Sequence, residues 1–404
     1  MGSTSFKHQV ISRLIVILWA LVFIVAATSN GYSSVQDATS ADESPASGFA
    51  HVVFDKDGRK LDLKAEILVE ADDGGLLIRT PDMKIWIVQP DKLVSKELLD
   101  KPLPASTAKE LEKALLEELP DGFRIEKSRN FLVAYNTDRL FAKWISNLYE
   151  KLLRGFLDHW DKKRDYELKS PSTPLVVIVF GSFEEYSRFV QLETGNEPGT
   201  MIAYYNLMTN RVALYDLTST FGAAGNARND IQQILSSPGA AEMVATIVHE
   251  GTHQLMFNTG MQTRFSDTPL WVNEGLAMYF ETPDPDSAQG FRAIGNVNLM
   301  RLNRFIVYSR TRKPDSLKIL ISDDNVLRDP AQLLDRYSEA WAFNYFLLNR
   351  HPDAYVAYLK HLAAKPLLKY DTPESRLSDF SLFFDGELAG LDHEFLEYVA
   401  RLIQ

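Results

Sequence analysis

Between residues 51 and 94 apolar and polar positions alternate in short runs, HVVF, KAEILVE, GLLIRT and KIWIVQP, separated by turn signals at Asp57-Gly58 and Asp73-Gly74-Gly75. A period of two, punctuated by glycine turns, predicts a small antiparallel β unit over residues 50–100. Pro102 and Pro104 close it, and STAKELEKALLEEL then reads as a helix with Ser106 as its cap. NFLVAY is a strand. After Thr137 the apolar residues Phe141, Trp144, Ile145, Leu148, Leu152 and Phe156 recur at the spacing of one helix face. PLVVIVF is a buried strand and FEEYSRFVQL a short helix. TMIAYY and RVALYD flank NLMTN as the arms of a hairpin. Ser237 caps, and Pro238 opens, a helical reading that continues almost to the end of the chain. The expected class is therefore α+β: a small N-terminal antiparallel β module, followed over residues 101–404 by a mixed sheet and a helical lower part.

The first thirty residues follow neither period. Lys7 and Arg13 precede an unbroken apolar run over 14–27. That run is shorter than the roughly 20 residues of a bilayer span and suits the core of a signal peptide, with Ala26 and Ala27 at the cleavage site. If it is not cleaved, Val10 and Ile11 lengthen it into an anchor, which would be the chain's only membrane contact. Either way the folded part is expected to be exported: periplasmic, extracellular or anchored outside the cytoplasm. Residues 31–49, rich in Ser, Ala, Thr and acidic residues, read as a disordered spacer.

With 404 residues, 45% of them hydrophobic, the chain can bury two folded units. A formal charge of -11 with no basic stripe excludes a nucleic-acid partner. The absence of cysteine removes disulfides, lipid-modified cysteine and thiolate ligands, so any metal must be held by His, Asp or Glu.

HEGTH at 249–253 meets that restriction. Eight histidines and 54 acidic residues placed at random would produce such a pattern about once in fifty chains of this length, so its context has to carry the reading. On a helix ended by Asn258 and Gly260, with Met243, Ile247 and Leu255 toward a core, His249 and His253 lie one turn apart and can share one ion. Glu250 can then reach its water. Pro269 and Pro283 bracket a second short helix, PLWVNEGLAMYFETP, which offers Glu274 as third ligand beside Gly275, a residue suited to close helix approach.

HEGTH followed by WVNEGLAMYFE resembles the gluzincin zinc metallopeptidases, the superfamily of thermolysin and the thermolysin-like aminopeptidases. The order of β unit, PLVVIVF, YYNLMTNRVALYD, H-E-x-x-H-Q and W-x-N-E-G-x-A is also similar to a bacterial exported family filed as a domain of unknown function, over roughly residues 125–350. The resemblance implies one zinc per chain held by His249, His253 and Glu274, Glu250 as general base, and a peptide or protein substrate. It makes Tyr337 the first candidate and Tyr345 the second for stabilising the oxyanion, although Tyr337, Trp341 and Tyr345 also continue one packing stripe. The chain departs from the aminopeptidases at GTMIAYY, where Ile202 replaces the glutamate that holds a free amino group, so that specificity is not supported. TMIAYY can instead pair its edge with an extended peptide.

Other positions read more plainly. Glu281 is expected to be an exposed carboxylate at a helix end rather than a support for a ligand. His51, His159, His351, His361 and His393 are expected to be structural or surface groups, and Tyr204 and Tyr205 sheet residues. Two alternatives remain beside the peptidase: a zinc-bearing, non-proteolytic scaffold of the cell envelope, and a helix pair without metal.

Overall fold

The computed structural model describes residues 48–216, 240–282, 294–384 and 387–402. The expected signal peptide or anchor, most of the spacer, Ser237-Pro238 and Pro283 lie outside the described residues. Chain order begins with five strands: β1 (Gly48–Lys56), β2 (Arg59–Glu70), β3 (Leu76–Arg79), β4 (Ile85–Val88) and β5 (Leu93–Leu99), with a 3-10 turn at Pro90–Lys92. They form one antiparallel sheet in the order β4-β3-β2-β1-β5. Register shifts at Val53/Phe54 and Ile67/Val69 bend its strands. The inner face, with Val52, Phe54, Ile67 and Ile78, thereby encloses a small core of its own.

Three sequence expectations are corrected here. The spacer stops short of 49, because Gly48 and Phe49 already pair with Ile67 and Glu66 in β1 and β2. β5 was not foreseen, since LVSKELL lacks clean alternation. The cap of the following helix is Thr107, not Ser106: the Thr107 side chain accepts from the Glu110 amide while Glu110 reaches back to the Thr107 amide.

That helix, α1 (Ala108–Glu118), leads into β6 (Arg124–Lys127), β7 (Phe131–Tyr135), α2 (Arg139–Leu157), β8 (Leu175–Phe180), α3 (Phe183–Thr194), β9 (Ala203–Asn206) and β10 (Arg211–Tyr215). The second sheet is mixed, ordered β6-β7-β8-β10-β9, with β7, β8 and β10 parallel and antiparallel strands at both edges. Central β8 is buried along its whole length, as its unbroken apolar sequence requires. Leu111 and Leu115 of α1 and Tyr186 and Val190 of α3 cover one face. The helices of the other face share a larger core with the rest of the chain.

The remainder is helical: α4 (Ala240–Asn258), α5 (Leu270–Phe280), α6 (Leu299–Ser309), α7 (Ser316–Ser322), α8 (Leu333–Arg350), α9 (Pro352–Ala363), α10 (Pro373–Ser381) and α11 (Leu388–Arg401). The architecture is α+β. Among the described residues no helix is long and apolar enough to cross a membrane. The N-terminal sheet sits on the mixed sheet through its β3–β4 turn: Ile85 N–H donates to Met208 O at 2.7 Å, and Ser106 N–H to Pro81 O at 3.0 Å. Lys84 pairs with Glu118, which also receives both guanidinium arms of Arg211.

Candidate metal centre

α4 packs closely on α2 because residue 251 has no side chain. A Cβ there would stand 2.1 Å from the Tyr149 ring, whose hydroxyl donates to Ile247 O. α5 is likewise pressed against α8 at Gly275, where a Cβ would meet Asn344 Nδ2 at 1.9 Å. Asn344 ties α8 to α5 by donating to Trp271 O, and is itself held by its bond to Ala340 O of α8. The glycine beside Glu274 thus serves an approach to α8, and the glutamate is left facing α4.

Three expected ligands meet there. His249 Nε2 and His253 Nε2 are 3.1 Å apart, and Glu274 Oε2 and Oε1 lie 3.2 Å and 3.7 Å from them respectively. All three residues are buried, and their ligand atoms fall within 4.8 Å of one another, a group that can hold a metal ion.

The partners of the outer ring nitrogens test the fit. His249 Nδ1 is 2.9 Å from Glu281 Oε2, and Glu281 Oε1 accepts from Arg301 Nε and Nη2. His253 Nδ1 is 3.2 Å from Asn273 Oδ1. Both acceptors require a proton on Nδ1, so both Nε2 lone pairs point inward. Glu274 Oε1, buried beside them, has no hydrogen-bond partner among the described residues. Three electron-rich atoms converging within 4.8 Å fit a cation. Without one, a proton must take its place: burial lowers the His249 imidazole, but hydrogen bonds to Glu274 and Glu281 outweigh it and lift the group to about 10. His253 is lowered by burial to about 4. Burial would raise Glu274, and the two imidazoles more than offset it, holding its carboxyl below the usual range.

Glu250 belongs to the cluster without being one of the three. Its Oε2 accepts the main-chain N–H of Tyr205 at 2.8 Å, and burial raises its carboxyl to about 7 against the opposing charge of His249. It begins a polar stripe at Glu250, Gln254 and Asn258, spaced four apart on α4. Gln254 Nε2 donates to Asn210 O and Val176 O, and the Asn258 amide pairs with that of Asn210. The helix is thus fastened along the β9–β10 hairpin.

Glu281 corrects the sequence expectation. It is 4% exposed and braces His249, because α6 brings Asn298 and Arg301 over the end of α5. Tyr337 is buried next to the group: burial first, then the charge of Glu274, push its hydroxyl well above the usual phenol range. Tyr345 turns elsewhere, packing on Tyr279, Trp341 and Tyr398. Tyr204 and Tyr205 are sheet residues of β9. His159 is buried among Trp160, Tyr279 and Phe280 and accepts from Arg164. His51, His351, His361 and His393 each pair with a carboxylate away from the centre. A groove of about 570 Å³ at the junction of the two sheets, lined by Trp86, Phe123, Phe189 and Leu192 among its residues, shares no residue with the centre.

Asn273, Asn298, Arg301 and the Tyr205 amide were missed in the sequence. The only legible signals were the four-residue spacing of Glu250, Gln254 and Asn258 and the position of Asn273 beside Glu274.

Residues 243–369 match the model of a family described as a protein of unknown function (DUF1570). The matched span contains His249, Glu250, His253, Glu274, Glu281, Arg301 and Tyr337. No curated protein matches the chain.

Proposed function

We propose that this chain is a metal-dependent peptidase of gluzincin type, with His249, His253 and Glu274 holding one divalent ion. Two imidazoles and a carboxylate with no thiolate suit zinc. The observation that carries the reading is Glu250: a buried carboxyl beside the trio that no bond to the trio explains, held at Oε2 by the Tyr205 amide. A bound ion supplies Lewis acidity toward a scissile carbonyl and a water nucleophile near neutral pH.

The rest follows from the chain's own groups. Glu250 Oε1, the oxygen not engaged by Tyr205, receives a proton and passes it to the leaving amine. Burial, which raises this carboxyl, favours its taking up that proton. Burial around Tyr337 keeps its hydroxyl protonated and able to donate to a developing oxyanion. β9 ends its sheet, but all four of its residues are buried and the Tyr205 amide is taken by Glu250, so the expected pairing of this edge with an extended peptide requires the edge to be uncovered.

The depth of the centre favours a second reading, a metal-bearing scaffold that cleaves nothing. A structural site, however, tends to occupy all four positions with protein ligands, and three are grouped among the described residues. The Glu250→Gln variant separates the readings. It should keep the metal and the fold of the wild type and lose cleavage of a mixed peptide library. Cleavage at the wild-type rate by that variant defeats the mechanism, and a metal-loaded wild type that cleaves nothing favours the scaffold.

A further inference from the structure

The N-terminal sheet reaches the metal centre through a short chain of main-chain groups. Arg264, buried between the two sheets, donates Nη1 to Leu207 O at 2.9 Å and Nη2 to Met83 O at 2.8 Å. Met83 lies in the β3–β4 turn and Leu207 in the β9–β10 turn. The Ile85 amide of β4 adds its bond to Met208 O. Two consecutive carbonyls of the β9–β10 turn are therefore held from the N-terminal sheet, one directly and one through a guanidinium.

The β3–β4 turn is built to present that carbonyl. Met83 adopts a φ of 66°, uncommon for a residue with a side chain, and its amide is tied back to Thr80 O at 2.8 Å. On the other side of Leu207 the constraint continues into β9. Asn206 Oδ1 accepts from the Met208 and Thr209 amides, and the Asn210 amide closes the turn on Asn206 O. The next residue back is Tyr205, whose amide holds Glu250. Its ring stacks on Phe257 of α4, and its hydroxyl donates to Asn210 Oδ1.

We propose that the β3–β4 turn of the N-terminal sheet, acting through Arg264, is a positioning element for Glu250: it fixes the β9–β10 hairpin and so the Tyr205 amide that orients the carboxylate. This rests on the reading of Glu250 as the proton-transferring group. α4 already fastens the turn at Asn210, so the clamp supplies a second fixed point on its β9 side, at Leu207 and Met208, that keeps β9 from sliding along α4. A guanidinium suits the task because its planar fork holds two carbonyls at once.

The test uses the full chain loaded with zinc and two variants. Arg264→Ala removes the bridge. Ile85→Pro removes the donor to Met208, and because β4 is a sheet edge no ladder bond of the N-terminal sheet is lost; Ile85→Ala, which keeps the amide, controls for the buried side chain lost with it. Metal content should stay at the wild-type level in both. Hydrogen exchange at the Tyr205 amide should quicken about tenfold or more, the signature of local opening. With a mixed peptide library, kcat should fall by about 10–100-fold with KM little changed, the range seen when support of a reactive group is lost. Arg264→Lys, which can keep one of the two bonds, should restore part of both signals. Unchanged exchange at Tyr205 in both folded variants overturns the clamp, and quickened exchange with unchanged kcat overturns its role in positioning. A wild type that cleaves no peptide refutes the peptidase reading and the catalytic consequence together, while the exchange measurement still decides the clamp.

Discussion

Glu281 Oε2 lies 2.9 Å from His249 Nδ1, with the other carboxylate oxygen taken by Arg301. This pair fixes which ring nitrogen of His249 carries the proton and leaves Nε2 for an ion. Replacing Glu281 by Ala should weaken metal affinity about 10–100-fold, and Glu281→Gln, which keeps an acceptor without its charge, should weaken it less. Competition against a chelator of known affinity measures both. Equal affinities in all three proteins would remove Glu281 from the centre.

Metal stoichiometry tests the trio itself. The wild type should bind about one zinc per chain, and His253→Ala should bind none while retaining its helical content. An ion that binds only the folded chain also stabilises it, by about 2.7 kcal/mol at a free concentration one hundred times its Kd. Stripping the metal should therefore lower the thermal midpoint, and zinc should restore it. A midpoint indifferent to zinc and chelator would show that HEGTH holds no ion.

Gly275→Ala should be costly, although the change is a single methyl group on a helix. The added carbon would stand 1.9 Å from Asn344 Nδ2 and 2.8 Å from the Ala340 backbone oxygen. Asn344 cannot move freely, since it bonds Trp271 O, Ala340 O and the Tyr355 hydroxyl. Overpacking of this kind costs about 1–3 kcal/mol. Urea unfolding would reveal it, and an unchanged midpoint would mean that α5 and α8 can separate without penalty.

Acid should loosen the junction of the sheets. Glu118 sits between Arg211 and Lys84; burial raises its carboxyl, but the two cations outweigh burial and lower it from 4.5 to about 2. A carboxyl whose pKa is lower folded than unfolded stabilises the fold fully above about 4.5, and that contribution fades as pH falls toward about 2. Glu118→Gln should therefore lower stability at pH 7 and flatten its pH dependence in this window. The carboxylate is partly exposed, so the difference should shrink in high salt. Identical pH profiles for variant and wild type would count against the pair.

Much of the fold could be read locally because its signals are local. Period-two runs became β1 to β4, the one-face stripe from Phe141 to Phe156 became α2, and the continuous apolar run at 175–180 became central β8. β5 and β6 escaped because short edge strands with mixed faces carry no strong period. Glu281 was misjudged for a related reason. A carboxylate at the end of a helix is normally solvated, and nothing near it in sequence announces that Asn298 and Arg301 fold over it.

The sequence alone determined the donor types available to the candidate centre and the local geometry of two of them. With no cysteine, and with His249 and His253 one turn apart, helical periodicity puts two imidazoles on one face whatever the rest of the chain does. The tertiary structure decided everything that depends on groups brought from afar: Glu274 at the imidazoles, Glu281 and Arg301 behind His249, and the Tyr205 amide on Glu250. The physical reason is that a helix fixes spacing along itself. Which charges share a buried volume, and which protons they keep, is set by how helices and sheets pack.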